Sequence, residues 1–233
     1  MKPRLSLPIL ATAFLGVWLA QPAARAQSGA PDLSGVWQAP YTPNLARPLG
    51  HELPMNAAGA AAFKVNQDQH EAGDPSSYCL PVGPARGIQA PMPFQIVQTP
   101  GLVAILFEYQ RTFRLIYTDG RDHPKNWDPE WFGTSIGKWE GNTLVVDTKN
   151  INERTWLDTA GHVHSDQLHL VERFQKMDPD NIKWTVTFED PKFYLDPFSV
   201  TLNIKKQNTS IMSYSCEENE KDRHGNHIVG ESK

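Results

Sequence analysis

Thirteen residues, His162-Val-His-Ser-Asp-Gln-Leu-His-Leu-Val-Glu-Arg-Phe174, gather three histidines, an aspartate, a glutamate and an arginine in a stretch patterned as β-strand. Strand side chains alternate between faces. Leu168, Leu170, Glu172 and Phe174 therefore share one face, and His169, Val171 and Arg173 the other. Both faces mix charge with apolar groups, and charged side chains are rarely buried unless paired or functional. The types present suit proton transfer. His169 can act as acid or base, with Glu172 or Asp147 as the carboxylate that orients the ring and tunes it. Arg173 can stabilise a developing anion. Arg114, Glu108, Trp131 and His123 are candidate substrate-binding residues. Against this stands a plainer reading, internal ion pairs between Arg114 or Arg173 and Glu108, Asp147 or Glu172.

A divalent metal is the competing chemistry; the acid–base reading needs no cofactor. His162-Val-His164 would set two imidazoles on one strand face, with His169 as a third ligand. Gly161 argues for a turn at His162 instead, and the spacing of a cupin metal motif is not matched. His224 and His227 add two imidazoles near the C-terminus. Asp119-Gly-Arg-Asp-His123-Pro124 reads as a turn, with His123 at the barrel mouth. The chain lacks a phosphate-binding glycine loop.

The elements that must position these groups are short strands. Apolar runs with strand character cover 94–98, 102–109, 112–117, 133–139, 143–149, 167–176, 183–189, 198–205 and 211–216, with a first strand ending at Trp37. Gly-Asn at 141–142 suits a tight hairpin. Short connections predict antiparallel neighbours, and so many strands must close to protect their edges. The expected fold is an all-β, antiparallel up-and-down barrel with at most short helices. Residues 27–93 supply a first strand and a long Pro-rich segment that covers the barrel. One helix is expected from Ala57 to Val65, capped by Asn56. Residues 94–216 form the barrel body, in one domain with 27–93, and 217–233 a polar tail.

Residues 1–26 read as a secretory signal peptide. Lys2 and Arg4 precede an apolar run, and Ala24-Arg-Ala26 forms a small-x-small cleavage site. The apolar run is too short for a spanning helix, so a periplasmic or secreted protein without stable membrane insertion is expected. The whole chain carries a net charge of −4, and the leader holds only positive charges, so the remainder is more acidic. With no basic run, nucleic acid is a poor partner. The only cysteines, Cys79 and Cys216, are expected to pair in an oxidising compartment and tie the N-terminal loop to the last strand.

Leu33-Ser-Gly-Val-Trp37 ahead of a β-meander resembles the start of lipocalin-like barrels. Ile96-Val-Gln-Thr-Pro-Gly101, Asp119-Gly-Arg-Asp-His-Pro124, Gly137-Lys-Trp-Glu-Gly-Asn-Thr-Leu-Val-Val-Asp147, Leu168-His-Leu-Val-Glu-Arg-Phe174 and Cys216-Glu-Glu-Asn-Glu-Lys-Asp222 resemble a large group of secreted bacterial proteins, in matching order over residues 33 to 222. The resemblance implies export and a β-rich fold; it carries no activity and no catalytic residues. The functional expectation is a barrel that handles a small apolar or aromatic molecule at its mouth, with Trp127 and Trp131 nearby. A cofactor-free isomerase, lyase or hydrolase leads, ahead of a non-catalytic carrier and a metal-dependent enzyme.

Overall fold

Alternation is plainest in the last two strands. Ile182, Trp184, Val186 and Phe188 are buried at every second position, and so are Phe198, Val200, Leu202 and Ile204. A face of this kind must be covered, and the chain covers it by curling the sheet on itself. The computed structural model describes residues 29–216 and forms one closed barrel, each strand beside the next and the ninth back on the first. The strands are β1 (Gly35–Gln38), β2 (Phe94–Thr99), β3 (Leu102–Phe107), β4 (Phe113–Tyr117), β5 (Thr134–Glu140), β6 (Thr143–Lys149), β7 (His169–Asp178), β8 (Asn181–Glu189) and β9 (Phe198–Gln207). The expected leader and polar tail, including His224 and His227, lie outside the described residues.

The all-β barrel stands, with two corrections. One pair is parallel: β4 meets β5 through Ile116↔Ser135 and Tyr117↔Ile136. Residues 118–133 are too many for a hairpin, and they run back along the wall before β5 begins. Ile211 to Cys216, expected as a last strand, is not one. The β1–β9 ladder closes the barrel and leaves no edge for it to join.

Tight turns at 100–101, 141–142 and 179–180 close one end of the barrel. The other end carries the long connections 39–93, 150–168 and 190–197. The 39–93 segment holds three helices, α1 (Ala46–Leu49), α2 (Ala57–Gln69) and α3 (Pro84–Gln89), so it is more regular than its prolines suggest. Asn56 caps α2 as expected, accepting from Gly59 N at 3.0 Å, but the helix runs four residues past Val65 to Gln69. Gly59 has no alternative, because a Cβ there would lie 2.3 Å from the Phe193 carbonyl oxygen. Helix α3 is buried along its whole length, and Ala85 and Ile88 join Phe94, Phe107 and Leu170 in one core.

Cys79 and Cys216 form the expected disulfide, with Cα atoms 5.7 Å apart. It ties the turn after Pro75–Tyr78 to the segment beyond β9 rather than to a strand. Among the described residues no helix is long and apolar enough to cross a membrane.

Candidate functional site

The histidine-rich stretch divides at His169, where β7 begins; 161–165 is irregular, so His162 and His164 share no strand face. His169 points out of the barrel. Its Nδ1 lies 2.9 Å from Glu189 Oε2 and its Nε2 2.7 Å from Asp147 Oδ2, across the neighbouring strands β8 and β6. Asp147 Oδ1 takes a second imidazole, His123 Nε2, at 2.6 Å, and His123 Nδ1 meets Thr134 Oγ1 at 3.1 Å. Partial burial alone would raise the Asp147 pKa, but the hydrogen bonds from His169 and His123 outweigh it and hold the carboxyl below its ordinary range. His123 comes from the 118–133 crossover, so the carboxylate bridge pins that segment to the wall. Both ring nitrogens of His169 are thus taken by carboxylates. Such a ring has no nitrogen left for a substrate. A cleft of about 450 Å³ adjoins Asp147, walled by Asp119, Arg121, Ile136, Lys138 and Val145.

Glu172 lies on the opposite face of β7 from His169 and cannot orient it. Its carboxylate sits inside the barrel, paired with both terminal nitrogens of Arg114. Arg114 Nε donates to Ser135 Oγ at 3.0 Å, and Nη2 to Thr148 Oγ1 at 2.7 Å. Trp184 Nε1 adds a bond to Glu172 Oε1 at 3.1 Å. The interior is thus the ion pair that the plainer reading named, fully hydrogen-bonded and enclosed by Trp184, Val146 and Ile116. Arg173 faces outward and meets Glu140 at 3.1 Å, away from His169. Glu108 is buried and accepts from Met212 N at 2.8 Å, which fixes the segment leading to the disulfide. Trp131 packs under the Arg154 guanidinium, 4.8 Å from its ring centre, and lines neither the cleft nor the cavity described below.

His162 and His164 lie buried among the long connections. His162 Nδ1 donates to Asp158 Oδ2 at 2.6 Å, and its ring stacks on Phe63 of α2 with centres 4.2 Å apart. Asp158 also accepts from the backbone N–H groups of Leu45, Gly161 and His162. His162 Nε2 has no partner. His164 Nδ1 donates to Ser165 O at 2.9 Å, and Nε2 meets Thr155 Oγ1 at 2.6 Å. Burial pushes its pKa down, which suits this neutral donor–acceptor pattern. The histidine trio therefore does not converge. Among the described residues no three His, Cys, Asp or Glu side chains group to hold a metal.

At the same end lies a cavity of about 320 Å³ that the sequence reading missed. Asp74, Ser76 and Ser77 from the 3-10 turn Pro75–Tyr78, Arg86 and Gln89 from α3, Pro91, Tyr109, Thr159 and the strand-following Tyr41 and Thr42 line it. Its polar wall is a buried bidentate pair, Arg86 Nη1 to Asp74 Oδ1 at 2.8 Å and Nη2 to Asp74 Oδ2 at 2.5 Å. Burial opposes the Asp74 charge, yet the bonds and charge of Arg86 prevail and keep its pKa low. Gln89 Nε2 donates to Ala85 O at 3.1 Å, while its Oε1 is buried with no donor. One signal was readable in advance. Between 74 and 93 the only charged residues are Asp74 and Arg86, and Asp74 precedes Pro75 and Ser76 as a helix cap does.

Comparison with protein-family models, with curated proteins and with solved structures gave no match.

Proposed function

We propose that this protein binds a small ring-bearing molecule in the cavity at the loop end of the barrel and holds it without covalent change. The observation that carries this reading is the buried Gln89 Oε1, an acceptor without a donor in a residue lining a cavity of about 320 Å³. Buried polar atoms are almost always paired, so an unpaired one in a residue that lines a cavity is suited to a ligand's donor. Tyr41, Tyr109 and Pro91 offer apolar faces for a ring. The barrel interior offers less, since Trp37, Phe94, Phe174 and Trp184 fill it around the Arg114–Glu172 pair. A periplasmic or secreted location belongs to the same proposal, supported by the leader-like N-terminus and the Cys79–Cys216 bond.

Native mass spectrometry of untagged protein, exported from a bacterial host through its own leader, tests the reading. The expected result is a non-covalent small-molecule adduct that Ser77→Trp, which fills the cavity, abolishes. Protein that stays bare in every preparation and binds no added ring compound would overturn it.

A second reading, proton-transfer catalysis, draws support from His162 rather than His169. The Asp158–His162 couple leaves Nε2 unpaired, as a general base requires, although it is buried and outside the cavity lining. Recovery of a chemically changed ligand, lost in His162→Gln, would favour it over binding alone.

A further inference from the structure

The loop-end cavity has a charge balance that restricts what can enter it. Asp74 and Arg86 neutralise each other through two hydrogen bonds and are both nearly buried. The pair is neutral as a whole, so a charged ligand beside it would lose its hydration with no net opposite charge to repay the loss. Ions are therefore poor occupants.

The remaining polar groups define what a neutral occupant must offer. Gln89 Oε1 can only accept. Its orientation is set, because turning the amide over would bring its oxygen against the Ala85 carbonyl that Nε2 now satisfies. The Ser76 and Thr159 hydroxyls lie 3.3 Å and 3.4 Å from Arg86 Nη2, from which they accept. The Ser76 hydroxyl also bonds Asp74, while Thr159 keeps its own hydrogen to donate. Beside these groups stand the rings of Tyr41 and Tyr109; Tyr109 is itself packed against Tyr214, with centres 5.8 Å apart.

We propose that the cavity selects an uncharged ring compound bearing a hydroxyl or amide donor, whose N–H or O–H meets Gln89 Oε1. This rests on the binding function proposed above and adds its ligand class. A donor is favoured because it pairs an acceptor that the free protein leaves unpaired. An uncharged group is favoured because the Asp74–Arg86 pair already balances its own charge.

Isothermal titration with matched pairs tests it, using benzamide and phenol against benzoate and phenyl phosphate, on wild-type protein and on Gln89→Leu. The amide and phenol should bind the wild type, and the two anions at least about tenfold more weakly, the weight of one buried polar contact. Gln89→Leu should weaken the neutral probes by about the same factor. Thr159→Val serves as a second variant should Gln89→Leu fail to fold, and it should weaken the same probes. Tighter binding of benzoate or phenyl phosphate would overturn the ligand class while leaving the cavity as a binding site. Unchanged neutral-probe affinity in the variants would also overturn it. Binding of no probe of either kind would count against both the ligand class and the binding function.

Discussion

Two buried polar regions of this molecule are finished differently. Inside the barrel, Arg114, Glu172, Ser135, Thr148 and Trp184 satisfy one another. At the loop end, Gln89 Oε1, Gln110 Oε1 and His162 Nε2 are buried without partners. All three come from connections between strands, and none from a strand. A low-dielectric interior makes a complete network rigid and an incomplete one costly. The complete network reads as architecture, because it leaves nothing to offer a ligand. The open atoms are where recognition has room to act, since a partner supplied from outside recovers what folding leaves unmet.

The sharpest break between the two regions should come from Glu172→Ala. It strands the Arg114 guanidinium in the barrel centre, and about 3–5 kcal/mol of stability should be lost. Urea denaturation checks this, and the paired change Arg114→Met with Glu172→Leu should recover most of it if the network is purely structural. A smaller effect is expected from replacing both cysteines by serine. Their bond spans 137 residues in sequence and constrains the unfolded chain, so about 2–4 kcal/mol should go. The readout that matters is locality. Hydrogen exchange should quicken around Asp74 to Cys79 and along 208–216 before it quickens in β7 and β8.

How much of this was written in the sequence follows from the same contrast. Strand alternation exposed β7, β8 and β9, and it placed Leu170, Glu172 and Phe174 on one face because period two is a local property. It also separated Glu172 from His169, although the two were grouped as one candidate site; proximity along the chain is not proximity across a pleat. Arg114–Glu172 was among the pairings named, since a buried charge demands an opposite one. The parallel β4–β5 pair escaped notice because its cause, the return path of 118–133, is tertiary. The loop-end cavity escaped for a related reason. Asp74, Arg86, Gln89 and Tyr109 come from three local structures with no shared period. Only the isolated acid and base between 74 and 93 gave a hint.

On the outer wall, Asp147→Asn should cost less than about 1 kcal/mol, because its partners are partly exposed and solvent-screened. Its pH dependence has a definite direction. The folded pKa lies below the ordinary 3.8, so the ionised carboxylate stabilises the fold above that value. The contribution is lost as pH falls through the lowered pKa. Melting curves of wild type and Asp147→Asn should therefore converge on acidification below about pH 4. Ligand affinity should be unchanged by this substitution at neutral pH; a marked loss would move the site to the Asp147 cleft.

The smallest stability effect should come from Gln89→Leu, and that smallness is informative. The substitution removes one hydrogen bond to Ala85 O but also removes an acceptor that has no donor. The two changes offset, because an apolar group of similar shape avoids the desolvation that an unpaired amide oxygen incurs. The melting transition should move by no more than the equivalent of about 1 kcal/mol in either direction. A loss of several kcal/mol would mean that Gln89 is a structural tie, like Glu172. Near-neutral stability together with weakened ligand binding would set the two regions apart as proposed, one closed for folding and the other left open for recognition.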